Sequence, residues 1–188
     1  MEHFYQKIQG WCNFWTIYNN MVELAEDGDH FVEVGAWKGQ STAFMAVLIA
    51  NSGKQIKFDV VDTWEGSAEH KADTESWDKD LKDDNLYNEF LTNMKPAEGY
   101  FNPIRTTSLE AAASYEDESS EFVLLDASHE YEDVKADILA WLPKIKPGCF
   151  LGGDDYHQTW PGVIRAVTEL VPGHQVVDNI SWIYQKSE

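Results

Sequence analysis

The strongest constraint on the fold is a regular alternation along the chain between short strand-like runs and segments with helical features. Each run is rich in apolar and β-branched residues, and each is followed by a segment that can form a helix. The runs are Phe31–Val34, Ile56–Asp62, Phe101–Thr106, Phe122–Asp126 and Cys149–Gly152. Strands that alternate with helices in this way form βαβ units, and βαβ units form a parallel sheet.

The expected helices follow from periodicity and from boundary residues, and they are Thr42–Asn51, Asn85–Met94, Leu109–Tyr115, Tyr131–Lys144 and Val163–Leu170. Near the end of the chain, Gln175–Asp178 and Ser181–Gln185 flank a tight turn at Asn179, which is typical of an antiparallel hairpin. The sequence therefore predicts an α/β fold of the Rossmann-like, doubly wound kind. Its sheet should have seven strands, mostly parallel, with the C-terminal hairpin antiparallel.

The length and composition predict one domain over residues 1–188, because 188 residues with 43% apolar content can bury one substantial core. Residues 1–28 are expected to be a helical segment, with an amphipathic helix from about His3 to Glu26. That helix could pack across the sheet or against a second copy in a homo-oligomer. Residues 65–84 contain eight acidic side chains and three lysines. This insertion is interpreted either as a lid over the substrate or as a solvated acidic loop.

The charge and the cysteine content narrow the partners and the location. A net charge of −19 disfavours a nucleic-acid partner, since such binding depends on lysine and arginine. No window has the length and apolarity of a membrane span, so we expect a cytoplasmic protein without a membrane partner. Cys12 and Cys149 lie far apart in the chain and are expected to be buried free thiols.

A glycine-containing turn follows the first strand in residues 31–41, FVEVGAWKGQS, which we call the cradle. Gly35 and Gly39 permit close approach of a ligand to the backbone, and Ser41 lies where the next helix offers free N–H groups. Glu33 would repel a dinucleotide pyrophosphate, whereas it suits the sulfonium and ammonium groups of S-adenosylmethionine (SAM). The third glycine of the dinucleotide fingerprint is also absent, so the cradle favours SAM over NAD.

Three further residues are candidate cofactor contacts. Asp62 ends the second strand in FDVVDTW, where a carboxylate can accept hydrogen bonds from both ribose hydroxyls. Trp64 is expected to flank the adenine, and Ser108, after the third strand, is a second expected adenine contact. A single acid at a strand end is a solvated residue about as often as it is a ligand contact. Glu33 and Asp62 lie on adjacent strands, and together they strengthen the prediction of a cofactor site.

An acidic cluster is predicted where the fourth and fifth strands end, in FVLLDASHEY and FLGGDDYH. Asp126, Asp154 and Asp155 should converge at one edge of the sheet, and without a nearby lysine or arginine they would repel one another unless a cation is present. Hard oxygen ligands suit Mg²⁺. Asp126 is expected to contact both the cofactor and the metal. His129 has a suitable intrinsic pKa for a general base.

These motifs resemble class I SAM-dependent methyltransferases, since EVGAWKGQS is similar to their first motif and VVDTW to their acidic second-strand motif. The stretch LLDASHEYEDVKADILAWLPKIKPGCFLGGDDY resembles metal-dependent O-methyltransferases of the macrocin, or macrolide-sugar, type. That resemblance implies that Asp126, Asp154 and Asp155 bind Mg²⁺ and that His129 is the general base. It leaves the acceptor open.

The sequence therefore predicts a SAM-dependent, divalent-metal-assisted O-methyltransferase acting on a hydroxyl of a small molecule, such as a sugar-like or vicinal-diol acceptor. One alternative is a metal-dependent hydroxylase of the cephalosporin-hydroxylase-like group, although redox iron sites more usually contain two histidines and a carboxylate. The other alternative is a non-catalytic SAM- or nucleotide-binding protein. An NAD dehydrogenase is disfavoured by the glycine pattern and by Glu33.

Overall fold

The computed structural model describes residues 1–66 and 85–188. Within them, seven strands form a sheet in the order β3-β2-β1-β4-β5-β7-β6. The strands are β1 (His30–Val34), β2 (Lys57–Asp62), β3 (Asn102–Arg105), β4 (Ser120–Leu125), β5 (Ile145–Gly153), β6 (Gln175–Val177) and β7 (Ser181–Gln185). Strands β1 to β5 are parallel to their neighbours, and β7 is antiparallel to both β5 and β6. This confirms the predicted fold class.

Six α-helices accompany the sheet in the described residues: α1 (Trp15–Leu24), α2 (Gln40–Ser52), α3 (Asn85–Met94), α4 (Ser108–Ser114), α5 (Tyr131–Trp141) and α6 (Pro161–Leu170). Local sequence accounts for several boundaries. Thr107 and Glu110 form a capping box that starts α4, Gly53 ends α2 with a φ of +72°, and α6 begins at a proline. None of the described helices combines the length and apolarity needed to cross a bilayer.

Helices cover both faces of the sheet, and side chains alternate along the strands to fill two cores. Phe31 packs on the face with α1 to α3, whereas Val32 and Val34 pack on the face with α4 to α6. Tyr18 of α1 and Trp141 of α5 are each completely buried in one of these cores. Burial of a large apolar side chain stabilises the fold by about 1.5–3 kcal/mol. The strand ends are therefore held rigidly, which fixes the side chains at the carboxyl edge of the sheet.

Strand β5 begins four residues earlier than the sequence predicts, at Ile145 rather than Cys149. The added residues include Pro147 and Gly148, and Gly148 has a φ of +77°. The pairing of β4 with β5 changes register between Ser120 and Phe122, so the strand continues through the irregularity as a bulge.

The predicted helix from His3 to Glu26 is wrong before Trp15. The structure has a short 3-10 turn at Tyr5–Lys7, then a non-helical stretch, and a helix only from Trp15 to Leu24. The non-helical stretch passes against the start of α2: a Cβ on Gly10 would lie 2.7 Å from the Cβ of Gln40. The Gln40 amide also donates to the Ile8 carbonyl oxygen at 2.8 Å. Helix α1 itself packs on α2, within this chain.

Candidate active site

A cavity of about 610 Å³ opens at the carboxyl edge, where β1, β2, β4 and β5 end. This is the edge at which open α/β sheets bind ligands. The walls come from the cradle, the end of β2, the loop after β4 and the non-helical N-terminal stretch. Of the residues predicted to form the site, the cavity lining contains Gly35, Ser41, Asp62, Ser108, Asp126, His129 and Asp155.

Gly35 and Gly39 both have a φ of +92°, a conformation that favours glycine. A Cβ on Gly35 would lie 1.9 Å from the backbone oxygen of Asp126, so the cradle passes directly over the end of β4. A Cβ on Gly39 would instead meet Phe90 and Met94 of α3. Gly35 therefore brings the cradle to the cavity, whereas Gly39 allows α3 to pack behind it.

Asp62 fixes the shape of the cradle. Its Oδ2 accepts hydrogen bonds from the backbone N–H groups of Ala36 and Trp37, at 2.8 and 3.0 Å. Its Oδ1 accepts from the N–H of Trp64 at 2.7 Å. Two carboxylate oxygens offer about four acceptor positions, so capacity remains for ribose hydroxyls. The ribose role of Asp62 stays a prediction, and the structure adds a role in holding the loop.

Glu33 lies beneath the cradle and is completely buried. Its carboxylate accepts hydrogen bonds from the hydroxyls of Ser41 and Thr42, the latter at 2.6 Å. Burial raises the pKa of Glu33 to about 7, although the hydroxyls of Ser41, Thr42 and Tyr18 act in the opposite direction. Glu33 does not line the cavity in the described residues. It therefore holds the first turn of α2 and would act on a ligand through Ser41 and through its charge.

The two expected adenine contacts lie in different environments. Trp64 is only 2% exposed and packs against Tyr87 and Phe90, with its indole N–H donating to the Trp37 carbonyl oxygen at 3.0 Å. It lies behind the cavity wall rather than in it. Ser108 does line the cavity, and its hydroxyl accepts from the Trp141 indole at 2.9 Å. Both adenine contacts remain predictions.

Three groups from the predicted acidic cluster come together at the cavity. Carboxylate oxygens of Asp126 and Asp155 and a ring nitrogen of His129 all lie within 4.8 Å of one another. His129 Nε2 is 2.6 Å from Asp155 Oδ2, and the imidazole stacks on Trp160 with ring centroids 4.0 Å apart. Burial, followed by the charges of Asp154 and Asp155, raises the pKa of Asp126 well above its usual range. Among the described residues that line the cavity there is no lysine or arginine.

Asp154 is not part of that group in the described residues. It is 4% exposed, and its carboxylate accepts from the Ser181 hydroxyl at 2.8 Å and from the Asn13 amide at 3.2 Å. Burial raises the pKa of Asp154 to about 6, against the effect of the Ser181 hydrogen bond. The structure thus brings His129 to the two acidic groups and directs Asp154 to other partners. The predicted metal set of Asp126, Asp154 and Asp155 stays a prediction.

The N-terminal wall was missed by the sequence analysis. Gly10, Trp11, Cys12 and Asn13 all line the cavity, and we call residues 10–13 the N-terminal wall. Aromatic residues on both sides of it suggested one amphipathic helix, but a glycine inside such a pattern can mark a break. Gly10 was that signal. Cys12 is a buried free thiol as predicted, and Cys149 is a free thiol that is partly exposed.

Residues 32–156 match the model of a family described as a methyltransferase domain. The match includes most of the cradle, Asp62, and the whole group of Asp126, His129 and Asp155. The chain belongs to this methyltransferase family. The prediction of a methyltransferase is thereby confirmed at the level of the family.

One relative of this methyltransferase is much longer than the chain. It is 28% identical over 116 residues to the uncharacterized protein y4gI of Sinorhizobium fredii (strain NBRC 101917 / NGR234), a match over 62% of this chain and 12% of that protein. The chain thus spans about an eighth of that relative's length.

Among solved structures, the methyltransferase is similar to the O-methyltransferase NovP, with a TM-score of 0.68 and 16% identity over 93% of this chain and 79% of that one. It is also similar to CalS11, a TDP-rhamnose 3'-O-methyltransferase of calicheamicin biosynthesis, with a TM-score of 0.62 and 12% identity over 92% and 76% of the two chains. At these identities the likeness shows the fold, which is the Rossmann-like methyltransferase fold.

Proposed function

We propose that this methyltransferase transfers the methyl group of SAM to a hydroxyl of a small molecule, with the help of a divalent cation. The observation that carries the proposal is that the cradle and the group of Asp126, His129 and Asp155 face one cavity of about 610 Å³. A donor and an acceptor could therefore be held side by side, which provides the alignment on which methyl transfer depends. The O-methyltransferases that share the fold support the choice of oxygen as acceptor.

The cradle end of the cavity suits SAM. Gly35 allows the backbone to approach the ligand closely, and the first N–H groups of α2 are available near Ser41. Asp62 keeps acceptor capacity for ribose hydroxyls while it holds the loop. The negative potential of Asp62 and Asp126 favours a ligand that carries a sulfonium and an ammonium group.

The donor set at the other end fits a divalent cation. Two carboxylates and an imidazole lie within reach of one ion, and the described lining of the cavity includes no lysine or arginine that could neutralise them. Asp126 and Asp155 would hold the cation, with Asp154 as the further ligand implied by the macrocin-type resemblance. When bound, the cation would lower the pKa of an acceptor hydroxyl and orient it.

His129 is placed to accept the proton of that hydroxyl. It lines the cavity, Trp160 fixes the plane of its ring by stacking, and Asp155 orients it through Nε2. In the reaction, the acceptor oxygen forms a bond to the methyl carbon as the bond from that carbon to sulfur breaks. The hydroxyl proton passes to His129, and S-adenosylhomocysteine leaves as a neutral sulfide.

Tryptophan side chains line the cavity together with the acidic group. Trp11 and Trp37 lie on one side with ring centroids 6.2 Å apart, and Trp160 lies beside His129. Flat apolar walls of this kind can stack on a sugar-like ring or on an aromatic vicinal diol. A cavity of about 610 Å³ that also holds the cofactor leaves room only for a small acceptor or for the end of a larger one.

The first test is an isothermal titration of the protein with SAM, with and without Mg²⁺. We expect binding of SAM in both conditions, because the cradle is built without the metal. We also expect S-adenosylhomocysteine to bind, since it shares the nucleoside and the amino acid. Absence of SAM binding in both conditions would overturn the proposal.

The second test concerns the role of His129. With a panel of sugar and catechol acceptors, release of S-adenosylhomocysteine should fall by about 10²- to 10⁴-fold in His129→Ala, while SAM affinity stays within about twofold. His157→Ala is the matched control, because His157 is exposed and bonds to Thr159 outside the cavity. If His129→Ala instead loses more than about tenfold in Mn²⁺ affinity, then His129 is a metal ligand and not the base.

A further inference from the structure

The carboxylate of Asp154 joins two parts of the chain that are distant in sequence. One oxygen accepts from Ser181 at the start of β7, and the other accepts from Asn13 in the N-terminal wall. Asp154 and Ser181 are buried, whereas the Asn13 side chain is exposed on the cavity side. The nearly buried carboxylate of Asp154 therefore accepts a hydrogen bond from Asn13, a side chain that lines the cavity.

The residue after Asp154 belongs to the acidic group. Asp155 has a φ of +60°, a left-handed conformation that residues other than glycine rarely adopt. Backbone hydrogen bonds hold the turn on both sides: the N–H of Asp154 donates to Leu125, and that of Tyr156 donates to Ile180. The Asp154 side chain is a further anchor of this turn, beside these backbone hydrogen bonds. Asp155, which contacts His129, is the next residue along the chain.

Asn13 also lies in the wall of the cavity that is proposed to hold the cofactor. Gly10, Trp11 and Cys12 precede it in the same stretch, and all of them line the cavity. This wall is fixed to α2 through the contact of Gly10 with Gln40 and the hydrogen bond from Gln40 to Ile8. One stretch of chain therefore contacts the start of the cradle helix at one end and Asp154 at the other.

We infer that Asn13 is a positioning residue that couples the cofactor end of the cavity to the acidic end. By holding the Asp154 carboxylate, it fixes the turn that presents Asp155. A cofactor that settles against the N-terminal wall stabilises the Asn13–Asp154 hydrogen bond, and so favours cation binding. By linkage, the cation then favours cofactor binding by the same factor. This inference rests on the proposed function.

The test compares the wild-type protein with Asn13→Ala, and uses Asn19→Ala as the control. Asn19 also loses an amide hydrogen bond in the control, the one to Trp15 at 2.8 Å, but it lies on α1 outside the cavity. Because Asn13 is exposed, Asn13→Ala should keep the thermal unfolding midpoint within about 2 °C of the wild type. Mn²⁺ affinity is measured by calorimetry with and without S-adenosylhomocysteine, and amide hydrogen exchange is followed in residues 153–157.

In the wild-type protein and in Asn19→Ala, we expect S-adenosylhomocysteine to raise Mn²⁺ affinity by at least about fivefold. In Asn13→Ala, Mn²⁺ affinity should fall by about tenfold, as is common when a partner of a metal-site carboxylate is removed, and the enhancement by S-adenosylhomocysteine should disappear. Exchange in residues 153–157 should become faster. Unchanged Mn²⁺ affinity and unchanged enhancement in Asn13→Ala would overturn the inference.

A wild-type protein that binds no Mn²⁺ would remove the metal from the proposed function, and the positioning role is then decided by the other two measurements. Asn13→Ala should still weaken S-adenosylhomocysteine binding by about threefold to tenfold and speed exchange in residues 153–157. If neither changes, Asn13 has no positioning role. If S-adenosylhomocysteine fails to bind the wild type, exchange in residues 153–157 alone decides, and an unchanged rate rejects the inference.

Discussion

Several acidic side chains at the amino end of the sheet have different hydrogen-bond and ion-pair partners from those at the carboxyl edge. At the amino end, acids are paired with lysines: Asp59 with Lys57, Asp117 with Lys144, Glu118 with Lys186 and Glu121 with Lys146. At the carboxyl edge, Glu33 and Asp154 bond to neutral hydroxyl or amide groups, and Asp62 bonds to backbone N–H groups. Asp155 contacts the imidazole of His129 at 2.6 Å, and among the described residues that line the cavity there is no lysine or arginine.

The difference appears in the pKa values of two completely or almost completely buried acids on adjacent strands. Burial raises the pKa of Glu33 to about 7. Burial also acts to raise the pKa of Asp59, but hydrogen bonds from His30, Asn102, Tyr115 and Lys57 outweigh it and hold that pKa well below its usual range. An acid at the amino end is thus compensated by the fold itself. Glu33 at the carboxyl edge has only neutral hydroxyl partners among the described residues, and a buried acid with a raised pKa beside a cavity is typical of a functional site.

Glu33→Gln should produce the largest change in folding free energy. The folded-state pKa of about 7 lies above the usual 4.5, so the folded protein binds more protons than the unfolded chain between these values. Stability contributed by protonated Glu33 is present below about pH 4.5 and is lost as the pH rises through about 7, by roughly 3 kcal/mol. Urea unfolding from pH 5 to pH 8 should therefore show a flatter profile for Glu33→Gln than for the wild type.

The control for Glu33→Gln is Glu23→Gln, since Glu23 is an exposed acid on α1. Its unfolding profile should follow that of the wild type at every pH. If the unfolding profile of Glu33→Gln instead runs parallel to that of the wild type, the charge of Glu33 is stabilised by its neighbours in the folded state. The contrast between the two ends of the sheet would then fail at its clearest position.

Asp59→Asn should have the opposite effect at the other end of the sheet. The amide cannot replace the carboxylate as partner of His30, Tyr115 and Lys57, so we expect a loss of about 2 kcal/mol at pH 7. The pKa of Asp59 is lowered by folding, so its stabilising contribution is present at neutral pH and is lost as the pH falls below about 4.

The matched control is Asp117→Asn, which breaks an exposed pair with Lys144 and should cost about 0.5 kcal/mol or less. SAM affinity should be unchanged in both variants, because neither acid lines the cavity. Loss of SAM binding in Asp59→Asn without a loss of stability would contradict a purely structural role for the amino end.

The fold and the composition of the carboxyl edge were predictable because they depend on local patterns. Apolar runs, capping residues and the order of strands and helices determine the sheet, and the ends of parallel strands must then converge. The features that the sequence did not predict depend on tertiary packing. Trp64 has a φ of +53° and turns into the core beside Phe90, and the N-terminal wall leaves helical geometry to pass against Gln40. Neither effect follows from periodicity.

The direction in which the Asp154 carboxylate points also could not be predicted from the sequence. Asp154 and Asp155 are adjacent and chemically alike, so the pattern Asp-Asp predicts two equivalent ligands. The positive φ at Asp155 turns the two side chains to different partners, one to Ser181 and Asn13 and the other to His129. The residues 67–84 of the predicted lid lie outside the described residues.

Asp126→Asn should produce the smallest change in folding free energy and the clearest sign. Asp126 lies close to Asp154 and Asp155, and their charges raise its pKa together with burial. A neutral amide removes that repulsion, so the free energy of unfolding at pH 7 should increase by about 1 kcal/mol, whereas most substitutions decrease it. Asp133→Asn is the control, because Asp133 also lines the cavity but is exposed and accepts from Ser128.

Mn²⁺ should raise the thermal midpoint of the wild type and of Asp133→Asn but not that of Asp126→Asn, since an ion that binds only the folded state stabilises it. A less stable Asp126→Asn would mean that the folded protein already compensates this acid, and the carboxyl edge would then need no cation.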